Sequence, residues 1–266
     1  MRWKKGNWLT KSIIQLVLLS FAGLFLTPII YMVYYSLSFG GISNYEIVIR
    51  TPFLPRFFIN STVVTGSCIL IVVGLGSLAA YAFSQLKFPA KNGLFYLLLI
   101  GIMIPTPSIV IPLFQLMRKT GLINNYLALI GPYVAINLPY PMLVMKNYFD
   151  DIPKEISEAA VIEGCGSFAV FRRIMMPLSV PALAVAIVWT FLFSWTEFLF
   201  AMVFMPMKQM QTIPMAALYY NGLVYFTGKE NELCAIILVI MLPTVVAYIL
   251  LQGLFIKGMT AGALKG

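Results

Sequence analysis

Nine acidic residues stand in a chain of 266, and five of them, Asp150, Asp151, Glu155, Glu158 and Glu163, crowd into one short stretch. Glu197 sits instead inside a strongly apolar run. Carboxylates so placed serve two kinds of chemistry. Facing water, they pair with a partner's cations; out of water, they accept hydrogen bonds from buried donors. Other chemistries are closed to this chain. It has no histidine, which removes a His base, a Ser-His-Asp arrangement and a His-ligated metal. Cys68, Cys165 and Cys234 lie far apart, without metal spacing or a disulfide framework, and read as free small residues. No Gly-x-x-x-x-Gly-Lys-Ser/Thr stretch occurs, so no P-loop holds a nucleotide here.

The elements that position these residues are membrane spans. The chain is 61% hydrophobic and 10% charged, with a mean hydropathy of +0.91; a soluble domain carries about 25% charged residues. A spanning helix needs about 20 apolar residues. Six runs qualify, at about 13–35, 60–83, 94–116, 126–145, 178–204 and 233–256. The first follows a basic stretch, Arg2, Lys4, Lys5 and Lys11, as a signal peptide would. Its apolar run is too long for that and no Ala-x-Ala site follows, so it is expected to stay as an anchor. The expected fold is therefore an all-α integral membrane protein, residues 1–266 forming a single transmembrane domain. A further segment, 213–225, is too short to span and reads as re-entrant.

Basic residues orient the spans. With the N-terminus inside, the inner segments hold twelve: Arg2, Lys4, Lys5, Lys11, Lys87, Lys91, Lys146, Lys154, Arg172, Arg173, Lys257 and Lys265. The outer ones hold six: Arg50, Arg56, Arg118, Lys119, Lys208 and Lys229. The positive-inside rule favours this arrangement, and six spans return the C-terminus to the cytoplasm. The net charge of +9 then reflects topology and attraction to anionic inner-leaflet lipid. Scattered over loops, these cations form no nucleic-acid-binding face.

The charged stretch, 146–173, reads as two short helices. Asp151 is a candidate N-cap and Pro153 suits a first turn. Ile156, Ala159, Ala160 and Glu163 share a face. Gly164 is expected in the left-handed region, ending the helix. Ser167 is placed to cap a second helix carrying Phe168 and Phe171, and Pro177 precedes the fifth span. Composition alone leaves two readings open: an inert amphipathic loop lying on the membrane, or a docking element.

The spacing separates them. Glu158, Ala159 and Ala160, three free residues, Gly164, nine free residues, Ile174, one free residue, then Met176 and Pro177 resemble the EAA loop of ABC importer permeases. Only Met176 departs, standing where the pattern has Leu, and it fills similar volume. Further stretches resemble the maltose-type second permease of carbohydrate importers. These are Thr51 to Leu54, Asn60 with Ser61, Ala80 to Phe83, Trp195-Thr196-Glu197-Phe198-Leu199 and the tail from Phe255 to Gly266. Thr196 replaces an Asn of that pattern, and the first outer loop, about 36–57, is shorter than usual for the group.

The resemblance implies a type I ABC importer permease fold in the cytoplasmic membrane. It implies a second homologous permease, two ATPase subunits or a homodimeric ATPase, and an extracytoplasmic sugar-binding protein. ATP and Mg would belong to the ATPase, with no cofactor in this chain. Residues 146–177 would be the coupling loop, with Glu155, Glu158, Ala159, Ala160, Gly164, Phe168 and Pro177 as its working residues. Asn60, Pro105, Asn137, Trp195 and Glu197 are candidates for the sugar path. Pro105, Pro107 and Pro112 in the third span, and Gly74 and Gly76 in the second, suit broken helices lining a cavity, or packing kinks without solute contact. Glu197 is open to three readings: a sugar-path acceptor, a partner for a polar group on a neighbouring helix, or an outer-interface residue. A self-contained secondary transporter or channel is the alternative function. That class uses buried charge relays in several spans, whereas Glu197 is the one acidic residue expected within a span.

Overall fold

The computed structural model describes the backbone of residues 8–263 and the side chains of 11–222, 228–250, 252 and 253. Among the described residues there is no strand. The chain runs α1 (Trp8–Leu37), α2 (Ser43–Ile49), α3 (Leu54–Gln85), α4 (Lys91–Ile100), α5 (Thr106–Lys119), α6 (Leu127–Asn137) and α7 (Pro139–Asp151). It continues through α8 (Lys154–Ile162), α9 (Ser167–Val170), a π-helical stretch Phe171–Met175, α10 (Met176–Leu178), α11 (Val180–Thr196), α12 (Leu199–Phe204), α13 (Pro214–Thr227) and α14 (Glu230–Ala263).

Three helices are individually long and apolar enough to cross a bilayer: Lys11–Leu37, Leu54–Gln85 and Glu230–Leu250. Three bent pairs meet the same test jointly: α4–α5 at 98°, α6–α7 at 42°, and Ser167–Leu178 with α11 at 80°. Proline explains the bends. Ile104 and Pro105 are both extended (ψ 117° and 123°) between α4 and α5. Pro139 and Pro141 have no N–H for the carbonyls of Ala135 and Asn137. Pro177 likewise follows the π-helical stretch, where the ladder is already slipped. Glycine does not break the second span: α3 is continuous through Gly74 and Gly76.

The contacts divide the chain into two compact units, Met1–Thr51 with Ala217–Ile240, and Pro52–Ala216 with Met241–Gly266. In the first, Asn44 is buried, donates to the carbonyl of Ser36 (2.9 Å) and accepts from Asn231 (2.9 Å). The second is organised around α3, against which α6, α7 and α11 pack. Its core joins Ala80, Tyr81, Phe149, Phe171, Met145 and Ala186. Two expectations need correcting. The fifth span does not continue to 204: α11 stops at Thr196 and Glu197 is extended, with ψ 125°. Asp151 is not an N-cap but the last residue of α7, and Pro153 occupies the cap of α8. Ile152 is driven extended by the proline that follows it.

Candidate functional site

The charged loop is built on a firm base. Ser84, near the end of α3, donates to Asp150 (2.6 Å), and Lys146 pairs with the same carboxylate (2.5 Å). Gln85 donates to the carbonyl of Phe149 (3.3 Å). These bonds tie α7 to α3 immediately before the chain turns into α8.

Helix α8 is amphipathic at close range. Ala160 is 6% exposed and packs into the core with Tyr81, Phe149 and Phe171. Of the two alanines, only Ala159 remains on the surface, beside Glu155 and Glu158. Ile162 is 86% exposed and Phe168 65%, large apolar groups that gain most by being covered. Glu155 lies in the first turn, where the helix dipole favours it. A cavity of about 460 Å³ lies beside Glu158 and Val161, walled by Tyr81, Gln85 and Val170.

The end of α8 is a Schellman motif. The Cys165 amide donates to the Ala160 carbonyl (2.9 Å) and the Gly164 amide to that of Val161 (3.0 Å), with Gly164 at φ +88°. A Cβ at Gly164 would meet nothing within 4 Å. Glycine is therefore required by backbone conformation rather than by space. Gly166, extended, holds the cap position of α9, so Ser167 is the first helical residue and makes no side-chain cap bond.

The second group of candidates lies along the broken helices, where the structure places each in a distinct setting. Glu197 follows the end of α11. Its carboxylate accepts the amides of Phe200 (2.9 Å) and Ala201 (3.4 Å), capping α12, and receives the hydroxyl of Tyr133. Trp195 is buried, stacked on Phe191 (5.4 Å, 14°) and near Phe58, and among the described residues its Nε1–H has no partner. Asn60 is fully enclosed. Its amide donates to the carbonyls of Gln209 (2.8 Å) and Gln211 (2.7 Å), and its oxygen accepts from Tyr126 (2.7 Å). Asn60 thus pins the 209–211 segment to α3. Pro105 is exposed at the sharpest bend.

Asn137 is buried, and among the described residues neither its Nδ2 nor its Oδ1 has a partner. It lies on one helical stripe with Tyr133, four residues before it, and Tyr140, three after. Tyr133 packs on Phe193 (5.8 Å) and Tyr140 on Trp189 (4.1 Å).

The structure brings Glu197 together with Tyr133, and of the residues expected to work in the charged loop it packs Ala160 into the core and leaves Glu155, Glu158, Ala159 and Phe168 exposed. It does not join Asn60, Pro105 and Glu197 into one constellation. Sequence reasoning missed Tyr133, Ser84 and the 209–211 clamp, because each acts through a partner more than 60 residues away. A phenol inside an apolar run beside Pro132 was the one available signal for Tyr133.

Residues 72–261 match the family described as binding-protein-dependent transport system inner membrane components. The chain is 35% identical over 214 residues to a probable ABC transporter permease protein of Bacillus subtilis, covering 80% of this chain and 70% of that one. It is 34% identical over 233 residues to a trehalose/maltose transport system permease of Thermococcus litoralis, covering 85% and 81%. It is 32% identical over 223 residues to a trehalose transport system permease of Mycobacterium tuberculosis, covering 84% and 81%. In fold it is similar to a chain of a bacterial ABC transporter that imports the acidic polysaccharide alginate. That likeness has a TM-score of 0.77 at 20% identity and covers 94% of this chain and 98% of that chain.

Proposed function

The chain belongs to the binding-protein-dependent transport system inner membrane components, and on that premise we propose that it is the membrane subunit of an ATP-driven sugar importer. With a second homologous permease it forms the path for a di- or oligosaccharide delivered by an extracytoplasmic binding protein. Six spans, counting each bent pair once, would return both termini to one side of the membrane, and the excess of basic residues on that side supports a cytoplasmic setting for them and for the charged loop. An ATPase pair binds ATP and Mg and grips α8 of each permease. Closure of that pair drives the two loops together and opens the cavity outward. The sugar class follows the trehalose and maltose systems named among the relatives.

One observation carries this assignment. Helix α8 is a short, rigid projection, rooted by Ala160 and capped by Gly164, that presents Glu155, Glu158, Ala159 and Ile162 outward. That is the shape of a lever for another protein, since nothing among the described residues covers Ile162. Pro177 and the π-helical stretch before it then turn the chain from the loop toward α11.

Reconstitution tests it. Liposomes holding this chain with its partner permease and ATPase should take up maltose or trehalose only with ATP on the ATPase side and binding protein on the other. Uptake by the lone chain down an ion gradient would overturn the proposal.

A further inference from the structure

A cationic pocket lies where the second span ends and the third begins. Helix α3 stops at Gln85 and α4 starts at Lys91. At that turn is a cavity of about 400 Å³ lined by Lys87, Phe88, Ala90, Lys91, Asn92 and Gly93, with no carboxylate in its wall. Lys87 is exposed and, among the described residues, enters no ion pair. Lys91 is held in place. Its ammonium donates to the carbonyls of Ser84 (3.1 Å) and Leu86 (2.9 Å), which leaves one of its three donors over.

The frame of the pocket is fixed and is tied to the base of the charged loop. Phe88 packs on Phe83 (5.6 Å), and Phe83 on Phe95 of α4 (5.4 Å). The Lys146 ammonium lies 5.1 Å from the centre of the Phe95 ring and pairs with Asp150, which also takes the Ser84 hydroxyl. Along α4 the surface then turns apolar. The helix has 10 residues, about 15 Å of rise, which is half of the roughly 30 Å hydrocarbon core. Gly93, Leu97 and Ile100 fall on one stripe of it; Leu97 is 64% exposed and Ile100 54%. A Cβ at Gly93 would meet nothing within 4 Å, so the head of the stripe is open.

We propose that this pocket and the adjoining face of α4 bind one anionic phospholipid. Its phosphodiester sits between the Lys87 and Lys91 ammonium groups, and an acyl chain runs over Gly93 toward Leu97 and Ile100. The combination of features selects the ligand. A free anion would use the cations and leave the apolar stripe bare. A zwitterionic lipid would use the stripe, but its own headgroup cation would meet two lysines. A lipid with net negative charge satisfies both. Each lysine near the membrane surface strengthens attraction to such a lipid about fivefold. Because Lys91 and Asp150 both hold Ser84, an occupied site braces the root of α8. The proposal goes beyond the importer reading and needs only that α3 and α4 lie in a bilayer.

The test uses the whole permease–ATPase complex in phosphatidylcholine nanodiscs doped with phosphatidylglycerol that carries a photoreactive acyl chain, with crosslinks mapped by peptide. Phosphatidylglycerol should label the 94–100 segment about fivefold or more over phosphatidylcholine bearing the same chain. Lys87→Gln should cut that labelling about fivefold, and Lys87→Gln with Lys91→Gln should cut it further. Gly93→Phe keeps every charge and fills the head of the stripe, so it should abolish the labelling. Lys119→Gln, at the far end of α5, should label as wild type does. Recovery of the assembled complex checks that the variants fold.

Absence of label in 94–100, equal labelling by the two lipids, or no loss on Lys87→Gln would overturn the proposal. An equal loss on Lys119→Gln would reduce the effect to general surface charge. Suppression by free glycerol phosphate as strong as that by unlabelled phosphatidylglycerol would assign the pocket to a soluble anion instead. Binding-protein-stimulated ATP hydrolysis in the same nanodiscs reports on the importer reading separately, so each reading can fail alone.

Discussion

Tyr133 donates its hydroxyl to Glu197 across the gap between α6 and the end of α11, and that same carboxylate caps α12 through Phe200 and Ala201. A carboxylate at membrane depth is expensive unless it is satisfied. Here it has three donors. Of the three readings the sequence left open for Glu197, the hydrogen bonds favour the structural partner, because the acceptor sites are already taken up in holding a six-residue helix.

The first prediction follows from that bond. Tyr133→Phe and Glu197→Ala should each lower the melting temperature of the assembled complex. The double variant should fall short of additivity by about 0.5–3 kcal/mol. Glu197→Gln retains acceptance of the α12 amides and should recover part of the loss, since a neutral acceptor is worth about half a charged one. Normal melting with altered apparent affinity for sugar would return Glu197 to the path.

Gly164 gives a second, conformational prediction. At φ +88° with open space around it, a substitution meets strain and no clash. Gly164→Ala should cost about 1–2 kcal/mol, the usual left-handed penalty, and Gly164→Val more, because β-branched residues tolerate positive φ worst. The Schellman bonds from Cys165 and Gly164 should loosen, and ATP hydrolysis should part from transport in the same order. Equal transport by the two variants would contradict the role of this turn.

Much of the frame was legible because the bilayer imposes it. Runs of about 20 apolar residues and prolines within them are local facts, and they recovered the helical class and the break in the third apolar run. Gly164 was legible for the same reason, since a helix that stops at a glycine needs no distant information. Three features were not. The span after Pro177 ends at Thr196 because Glu197 finds Tyr133, a partner 64 positions away. Ala160 and Ala159 are neighbours of one type, and only the packing of α8 on Tyr81 and Phe149 turns one inward and leaves the other out. Asn60 was read by family likeness as a path residue, whereas its side chain is spent on the 209–211 carbonyls.

Glu158 is exposed on the outward face of α8 and lines the cavity beside it. Glu158→Lys should leave membrane insertion intact and reduce copurification of the ATPase. Reversing one member of a desolvated pair costs about 2–5 kcal/mol. Full recovery of ATPase with normal binding-protein-stimulated hydrolysis would remove Glu158 from the docking surface.

Asn137 supplies a prediction in which stability and activity move apart. Its amide is buried and has no partner among the described residues, and an unpaired buried polar group costs about 1–3 kcal/mol. Asn137→Leu should therefore raise the melting temperature. If the amide finds its partner only when the 42° bend of α6 and α7 changes during transport, the same variant should slow uptake. A lower melting temperature would mean that the amide is already satisfied in the resting protein.

The last prediction concerns topology, on which the reading of the charged loop depends. Accessibility decides where the probes go. Asn44, a natural choice in the first outer loop, is buried and would report nothing. Phe39 is 92% exposed and Met207 is also exposed; Lys87 and Ile162 are exposed on the other side of the proposed membrane. Cys165 and Cys234 are only partly covered and would give background, so all three native cysteines must be replaced first. Single cysteines at Phe39 and Met207 should then react with an impermeant thiol reagent in right-side-out vesicles, and those at Lys87 and Ile162 only in inverted ones. Lys87 is the control for Ile162, because a bound ATPase would shield the latter in either orientation. Labelling of Lys87→Cys from the outside would invert the protein and put α8 beyond the reach of any cytoplasmic ATPase.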